Sequence, residues 1–161
     1  MPAWPGSIPG QASEKRVFSS CWIEIDLDEV PLTVATPGDS RNRRSLDDVN
    51  QIEVHNIVIA SCTGGSLSDL RAAADVLRGH RVSEGVRVTV TPSSLAVADQ
   101  AEKEGILELF RDLGVVVSRP GCGSCIGNGP GVPLPGETTA STTNRNFDRR
   151  MGAPGPVYLV S

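Results

Sequence analysis

Short apolar runs in the middle of the chain predict the strands of a sheet. Residues 57–60, Ile-Val-Ile-Ala, are continuously apolar, as are strands that are buried on both faces. Residues 86–90 and 115–117 are two further Val-rich runs of strand length. Serine or proline follows each run within two residues, which is typical of a strand that ends in a turn. The sequence therefore predicts three buried strands in this order.

Segments with a helical period separate these runs. Four apolar side chains line one face of a predicted helix over residues 67–78: Leu70, Ala73, Ala74 and Leu77. Ser66 can cap the first turn of this helix, with Asp69 as a weaker capping-box partner. Gly79 follows its last turn and predicts its end.

A second helix is predicted after Pro92-Ser93-Ser94 and runs to about Leu113, with a bend or weak point at Gly105. The order is thus strand, helix, strand, helix, strand. Crossovers of this length join parallel strands in right-handed units, with the helices packed on the sheet. We therefore expect an α/β fold, a three-layer α/β/α sandwich with a mainly parallel sheet of four or five strands.

The N-terminal part of the chain has a weaker pattern. Residues 1–19 are rich in proline and glycine without a period, and they are predicted to form a flexible tail. Residues 20–161 are predicted to form a single domain. Alternation over residues 22–27 predicts a short half-buried strand. Residues 31–49 are expected to be mostly connection, with a solvated loop at the basic run 41–44.

The C-terminal part is rich in glycine and proline. Residues 121–136 cannot bury their own backbone well, and they are therefore predicted to be a surface loop. A polar, basic stretch follows over residues 144–152. Two more short strands are predicted on either side of it, at residues 138–143 and 157–160.

Composition and charge narrow the classes of function. A chain of 161 residues has room for one domain of ordinary size. Its net charge of −4 argues against binding to a phosphate backbone. No apolar run approaches the roughly 20 residues of a membrane span, and the N-terminus lacks the pattern of a secretory signal. We therefore expect a soluble, cytoplasmic protein with neither a nucleic-acid nor a membrane partner.

Three of the four cysteines follow predicted strands. Cys62 comes just after the first, and Cys122 and Cys125 form a Cys-x-x-Cys pair after the third. Ligands bind at the carboxyl ends of parallel strands, so the three thiols are expected to converge there. Three thiolates are one too few for a closed tetrahedral zinc site. They suit an iron–sulfur cluster with one iron left open.

Spacing alone leaves other interpretations open. The Cys-x-x-Cys pair is also compatible with a dithiol redox pair, half of a zinc site, or no site at all. Cys21 precedes a predicted strand and is expected to be a plain thiol apart from the others. His55 and His80 are isolated and are expected to be structural or solvent-facing. The catalytic residues are therefore unknown.

Three segments resemble motifs of the aconitase superfamily. Residues 61–74, which begin Ser-Cys-Thr-Gly-Gly-Ser, are similar to its first cluster-ligand motif. Residues 121–127, Gly-Cys-Gly-Ser-Cys-Ile-Gly, are similar to the second. Residues 141–150 resemble the family's Asn-Arg-Asn-Phe segment with its closing arginine. The motifs occur in the family's order over roughly residues 20–161, and the match is closest to the large subunits of 3-isopropylmalate dehydratases.

The resemblance implies a hydro-lyase that dehydrates and rehydrates a hydroxy di- or tricarboxylic acid. It implies a [4Fe–4S] cluster whose open iron binds substrate as a Lewis acid, held by three thiolates, Cys62, Cys122 and Cys125. It also implies that Asn144 lies beside the cluster and that Arg145 and Arg150 bind a substrate carboxylate. A planar guanidinium can do this through two parallel hydrogen bonds.

The chain departs from the family pattern in three places. Gly64 stands where the family usually has asparagine, and Pro92-Ser93-Ser94 replaces Pro-Gly-Ser. The family's acid–base residues and catalytic serine belong to further domains, so other aconitase-type domains or a small swivel subunit are expected as partners. Two alternatives are a non-catalytic [4Fe–4S]-binding module, for electron transfer or iron sensing, and a degenerate remnant without a cluster. The two arginines favour the enzyme, whereas Gly64 favours the alternatives.

Overall fold

A computed structural model describes residues 26–160 of the chain. The described residues from Pro31 onward form one compact unit, and those before it contain a short 3₁₀ helix, Leu27–Glu29. Leu27 therefore does not continue the strand predicted over residues 22–27, whose first four residues lie outside the described part. The predicted tail and Cys21 also lie outside it. Of the helices in residues 26–160, none is long and apolar enough to cross a membrane.

Within residues 26–160, seven strands form one sheet. In chain order they are β1 Thr33–Ala35, β2 Arg43–Ser45, β3 Asn56–Ala60, β4 Arg87–Thr91, β5 Val116–Val117, β6 Thr139–Ser141 and β7 Val157–Leu159. Their order across the sheet is β2-β1-β7-β6-β3-β4-β5. The five strands from β7 to β5 are parallel, whereas β1 is antiparallel to both of its neighbours. The predicted α/β class and mainly parallel sheet are confirmed, and the expected strand number was too low.

The two additional strands form a hairpin at one side of the sheet. Val34 of β1 is buried, whereas Arg43 and Arg44 of β2 are exposed on the edge strand. Charged side chains on an edge strand oppose pairing with another chain. Residues 31–49 are thus mostly connection, as expected, but they also contribute two strands that were not predicted, because three-residue strands are too short to show an alternating pattern. The basic run is solvent-exposed as expected, although half of it is strand.

The described residues contain four α-helices, two after β3 and two after β4. They are α1 Ser61–Gly64, α2 Leu67–Leu77, α3 Leu95–Lys103 and α4 Ile106–Asp112. The predicted capping box begins α2: Ser66 Oγ accepts a hydrogen bond from the Asp69 N–H, and the Asp69 carboxylate accepts one from the Ser66 N–H. The second predicted helix is two helices, divided at Gly105. That glycine has φ +72°, which few residues with a side chain adopt.

The two faces of the sheet are covered differently. Helices α2, α3 and α4 pack on one face around a core that includes Leu70, Val90 and Phe110. On the other face, Val58 of β3 packs with Met151 of the C-terminal segment. A 3₁₀ helix, Gly123–Ile126, also contacts β3 on this side. The third layer is therefore a loop segment within the described residues, because its glycine and proline content disfavours long helices.

Candidate functional site

The candidate residues follow parallel strands at one edge of the sheet. They are Cys62 after β3, Cys122 and Cys125 after β5, and Asn144, Arg145 and Arg150 after β6. Backbone hydrogen bonds join the neighbouring loops. The Ser93 N–H donates to the Gly65 carbonyl at 2.8 Å, and the Gly121 N–H donates to the Pro92 carbonyl at 3.4 Å. The topology thus brings the two loops that carry the cysteines to the same edge, as expected for the carboxyl ends of parallel strands.

Cys62 lies in the one-turn helix α1. Ser61 before it has φ +64°, a left-handed conformation that is uncommon for a residue with a side chain. Ser61 is buried, and its Oγ has no hydrogen-bond partner among the described residues. The Gly65 N–H donates to the Ser61 carbonyl at 2.8 Å and ends the turn. This tight turn leaves Cys62 exposed at the edge of the sheet.

Cys125 lies on the 3₁₀ helix of the C-terminal segment, and Cys122 is the N-cap residue of that helix. The Cys125 N–H donates to the Cys122 carbonyl at 3.0 Å, so the Cys-x-x-Cys motif forms a single turn. Cys122 is exposed and Cys125 is buried. Gly127, just after the turn, lies against Gly152, and a Cβ on Gly127 would be 2.7 Å from the Gly152 Cα. The end of the segment that carries Arg145 and Arg150 therefore packs directly against the cysteine turn.

Arg150 reaches the cysteine pair. Its Nη2 donates to the Cys125 Sγ at 3.7 Å, and its guanidinium carbon lies 5.5 Å from the centre of the Phe147 ring. Its Nε is buried and has no hydrogen-bond partner among the described residues. The Arg150 N–H donates to the Phe147 carbonyl at 3.0 Å, so the chain turns between these two residues.

Arg145 is exposed and lines a polar cleft of about 350 Å³, together with Asn144, Phe147 and Asp39. Hydrogen bonds from Arg41 lower the pKa of Asp39 to about 2, so this carboxyl is ionised at neutral pH. Arg41 forms an ion pair with this carboxylate, and its positive charge offsets the negative charge of Asp39. The cleft therefore keeps a cationic wall at Arg145 that can face an anion.

Two residues that the sequence analysis did not single out hold the segment after β6 in place. Asn146 is buried, and its Nδ2 donates to the carbonyls of Thr36 at 2.7 Å and Val157 at 3.2 Å. It thus links β7 to the loop after β1. Thr142 packs against Gly64, where a Cβ would lie far inside 3.0 Å of the Thr142 side chain. The only sequence signal for this contact was the unusual glycine, which the structure explains because no side chain fits there.

Comparison with known proteins agrees with the motifs. The model of the aconitase family (aconitate hydratase) matches residues 34–161. The chain belongs to the aconitase family. A 3-isopropylmalate dehydratase large subunit of Clostridium kluyveri is 47% identical over 140 residues, which cover 86% of this chain and 33% of that protein. The large subunit of Caldicellulosiruptor saccharolyticus is 42% identical over 153 residues, 94% of this chain and 35% of that protein.

The likeness extends to Heliobacterium modesticaldum, whose 3-isopropylmalate dehydratase large subunit is 41% identical over 138 residues. The match covers 85% of this chain and 33% of that protein. This member of the aconitase family therefore spans about a third of the length of the curated relatives it matches. The resemblance that the three motifs indicate is confirmed.

In this aconitase-family chain, Cys62, Cys122 and Cys125 are free cysteines. Among residues 26–160, no group of three or more His, Cys, Asp and Glu side chains is close enough to hold a metal ion. The fold places the thiols at one edge without closing them into a ligand set. The chemistry of the donors nevertheless fits an iron–sulfur cluster, since all three are soft sulfur ligands on loops that contain several glycines.

Neither histidine belongs to this edge. His55 precedes β3, at the other end of the strand, and its Nδ1 accepts a hydrogen bond from the Thr138 N–H at 3.3 Å. His80 is exposed after the end of α2. Both positions agree with the structural or solvent-facing roles expected for them. Neither histidine is therefore placed to transfer a proton at the cysteine loops.

Proposed function

We propose that this chain is the cluster-bearing part of an iron–sulfur hydro-lyase that dehydrates and rehydrates a hydroxy di- or tricarboxylic acid. The contact between Arg150 and Cys125 carries the proposal. It joins the closing arginine of one family motif to a cysteine of another, 25 residues away in the chain. A cation that reaches a ligand cysteine supports one site shared by cluster and anionic substrate.

The proposed ligands of a [4Fe–4S] cluster are Cys62, Cys122 and Cys125. When bound, the cluster supplies a Lewis acid for the substrate hydroxyl and carboxylate. The chain itself contributes the positions of the thiols: the Ser61 turn presents Cys62, and the 3₁₀ turn presents Cys122 and Cys125. The hydrogen bond from Arg150 restricts the Cys125 side chain, as partners of metal ligands commonly do.

Arg145 and Asn144 are proposed to bind the substrate carboxylate in the polar cleft. The Arg145 guanidinium can donate two parallel hydrogen bonds to one carboxylate, and the Asn144 amide adds a neutral donor. Arg150 already donates to Cys125, so we propose that it binds the substrate carboxylate on the side of the site next to the cluster. The names of the relatives favour a 3-isopropylmalate-type substrate and a place in leucine biosynthesis.

Acid–base catalysis is proposed to come from polypeptide beyond these residues. Both histidines lie away from the cysteine loops, and the catalytic residues of this chain stay unknown. The chain spans about a third of its relatives, which supports further aconitase-type domains as partners. The relatives are named large subunits, which supports a small partner subunit. We retain the expectation of a cytoplasmic protein without a nucleic-acid or membrane partner.

Anaerobic reconstitution with iron and sulfide tests the ligands. The wild-type chain should gain cluster absorption and bound iron. Cys62→Ser, Cys122→Ser and Cys125→Ser should each lose both, because a hydroxyl is a poor substitute for a soft thiolate. Cys21→Ser is the matched control and should behave as the wild type. Full iron content in Cys62→Ser would refute the three-ligand proposal.

Titration with 2-isopropylmalate, read from the cluster spectrum with the partner domains supplied, tests the substrate. Arg145→Lys should weaken binding about tenfold, because lysine keeps the charge but loses the two-pronged geometry. Arg81→Lys, at an exposed arginine beyond α2, is the control and should change nothing. A cluster that does not respond to dicarboxylates would identify the non-catalytic module instead, and a chain that takes up no iron would identify the remnant.

A further inference from the structure

Gly64 and Thr142 occupy a single side-chain position between them. A Cβ built on Gly64 would lie far inside 3.0 Å of the Thr142 side chain and 2.9 Å from the Thr142 carbonyl oxygen. Cβ atoms in folded proteins do not approach so closely. The loop after β3 and the end of β6 therefore meet here backbone to side chain, two residues after Cys62 and two residues before Asn144.

Thr142 bonds to the Cys62 turn from both sides. Its Oγ1 accepts a hydrogen bond from the Ala60 N–H at 3.0 Å and donates one to the Gly64 carbonyl at 3.4 Å. Its carbonyl accepts a hydrogen bond from the Thr63 hydroxyl at 3.1 Å. One threonine thus binds the residue at the start of the turn and the two residues that follow Cys62.

We propose that Thr142 is a positioning residue that fixes Cys62 relative to Asn144 and Arg145. The inference rests on the proposed function, in which Cys62 holds the cluster and the other two bind substrate. Its physical basis is that Thr142 connects the two parts of the site. It belongs to the same short segment as Asn144, and it forms hydrogen bonds with the turn around Cys62. An exposed cluster ligand on a helix of one turn needs such support, because its own side chain makes few buried contacts that would hold it.

A plain packing role for Thr142 makes a different prediction. Packing alone would require only the volume of the side chain, so a valine would serve as well as a threonine. Positioning through hydrogen bonds requires the hydroxyl, so a serine would serve better than a valine. The two roles are therefore separated by replacing the methyl and the hydroxyl in turn.

The experiment uses the full chain in two states. In the cluster-free chain, hydrogen exchange of residues 60–65 is compared with exchange of residues 121–127 by mass spectrometry. Thr142→Val should speed exchange of the Cys62 turn about fivefold relative to the cysteine pair, and Thr142→Ser should restore the wild-type ratio. After anaerobic reconstitution, Thr142→Val should release iron faster than the wild type, and Thr142→Ser should not.

Thr139→Val is the matched control. Thr139 is a buried threonine at the start of β6, the strand that Thr142 directly follows, and its Oγ1 accepts a hydrogen bond from the Asn56 Nδ2 at 3.3 Å. This variant should lose global stability but keep the exchange ratio of the Cys62 turn. The proposal is overturned if the exchange ratio of Thr142→Val equals that of the wild type. It is also overturned if the ratio of Thr142→Ser is closer to that of Thr142→Val than to that of the wild type.

Two further outcomes are distinguishable. If the wild-type chain binds no iron, the proposed function fails, whereas the exchange ratio still decides whether Thr142 holds the turn. If Thr142→Val does not fold, the comparison of Thr142→Ser with the wild type decides it, because only the methyl is then lost. A serine variant whose Cys62 turn exchanges several-fold faster would show that the methyl, and hence packing, is responsible, and would overturn the proposal.

Discussion

The guanidinium of Arg150 donates a hydrogen bond to the sulfur of Cys125, over 3.7 Å, at the carboxyl edge of the sheet. The same guanidinium lies over the Phe147 ring, and Phe147 lines the cleft that contains Arg145. The cysteine turn and the anion-facing cleft are thus connected through two side chains. The buried Nε of Arg150 has no partner among the described residues and remains a donor for a further group on this side.

Replacement of Arg150 should loosen Cys125. Arg150→Lys keeps the positive charge but removes the planar group that both stacks on Phe147 and donates to the sulfur. We expect alkylation of Cys125 in the cluster-free chain to become several-fold faster, as measured by peptide mass spectrometry with Cys62 as the internal reference. Arg149→Lys is the control, since Arg149 is exposed and close to Asp148 instead. Equal Cys125 rates in the two variants would argue against the contact.

Substitution of Gly64 should destabilise the fold, and a second substitution at Thr142 should recover stability only if it removes the Thr142 Cβ. Gly64→Ala places a Cβ on the Thr142 side chain and should cost about 1–3 kcal/mol in the free energy of unfolding. Adding Thr142→Gly should recover part of this loss, because it removes both Cβ and Oγ1. Adding Thr142→Ala should not, because the Cβ remains. A double-mutant cycle from urea unfolding measures the coupling, and additive effects would contradict the close contact.

The decline of the free energy of unfolding at acid pH, the acid limb, should depend on the ion pair between Glu104 and Arg71, which links the end of α3 to α2. The hydrogen bond from Arg71, helped by one from Gln100, lowers the pKa of Glu104 from 4.5 to about 2. A carboxyl whose pKa falls on folding stabilises the protein above its unfolded value, and this contribution is lost as the pH falls from 4.5 toward 2.

Glu104→Gln should therefore lower stability at neutral pH and flatten its decline below pH 4.5. Urea unfolding at a series of pH values measures this. Glu84→Gln, at an exposed glutamate in the loop before β4, provides the comparison and should leave the acid limb unchanged. A Glu104→Gln profile parallel to that of the wild type would show that this pair contributes nothing.

Local patterns in the sequence were sufficient for the central elements. The strand β3, the capping box of α2 and the division of the second helix at Gly105 depend on neighbours within a few residues. The spacing of hydrophobic residues, the capping of a helix and the conformational freedom of glycine depend only on residues close together in the chain, so they can be seen in the sequence. The positions of the three cysteines after parallel strands followed from the same patterns together with the topology of α/β sheets.

Only the tertiary structure decided how the loops meet. The contact of Arg150 with Cys125 spans 25 positions, that of Thr142 with Gly64 spans 78, and that of Asn146 with Thr36 spans 110. No period or cap links residues so far apart, and a polar side chain in a glycine-rich segment can face solvent or a buried carbonyl. The choice is made when the sheet and the C-terminal segment pack, because a buried polar atom must then find a partner in another loop.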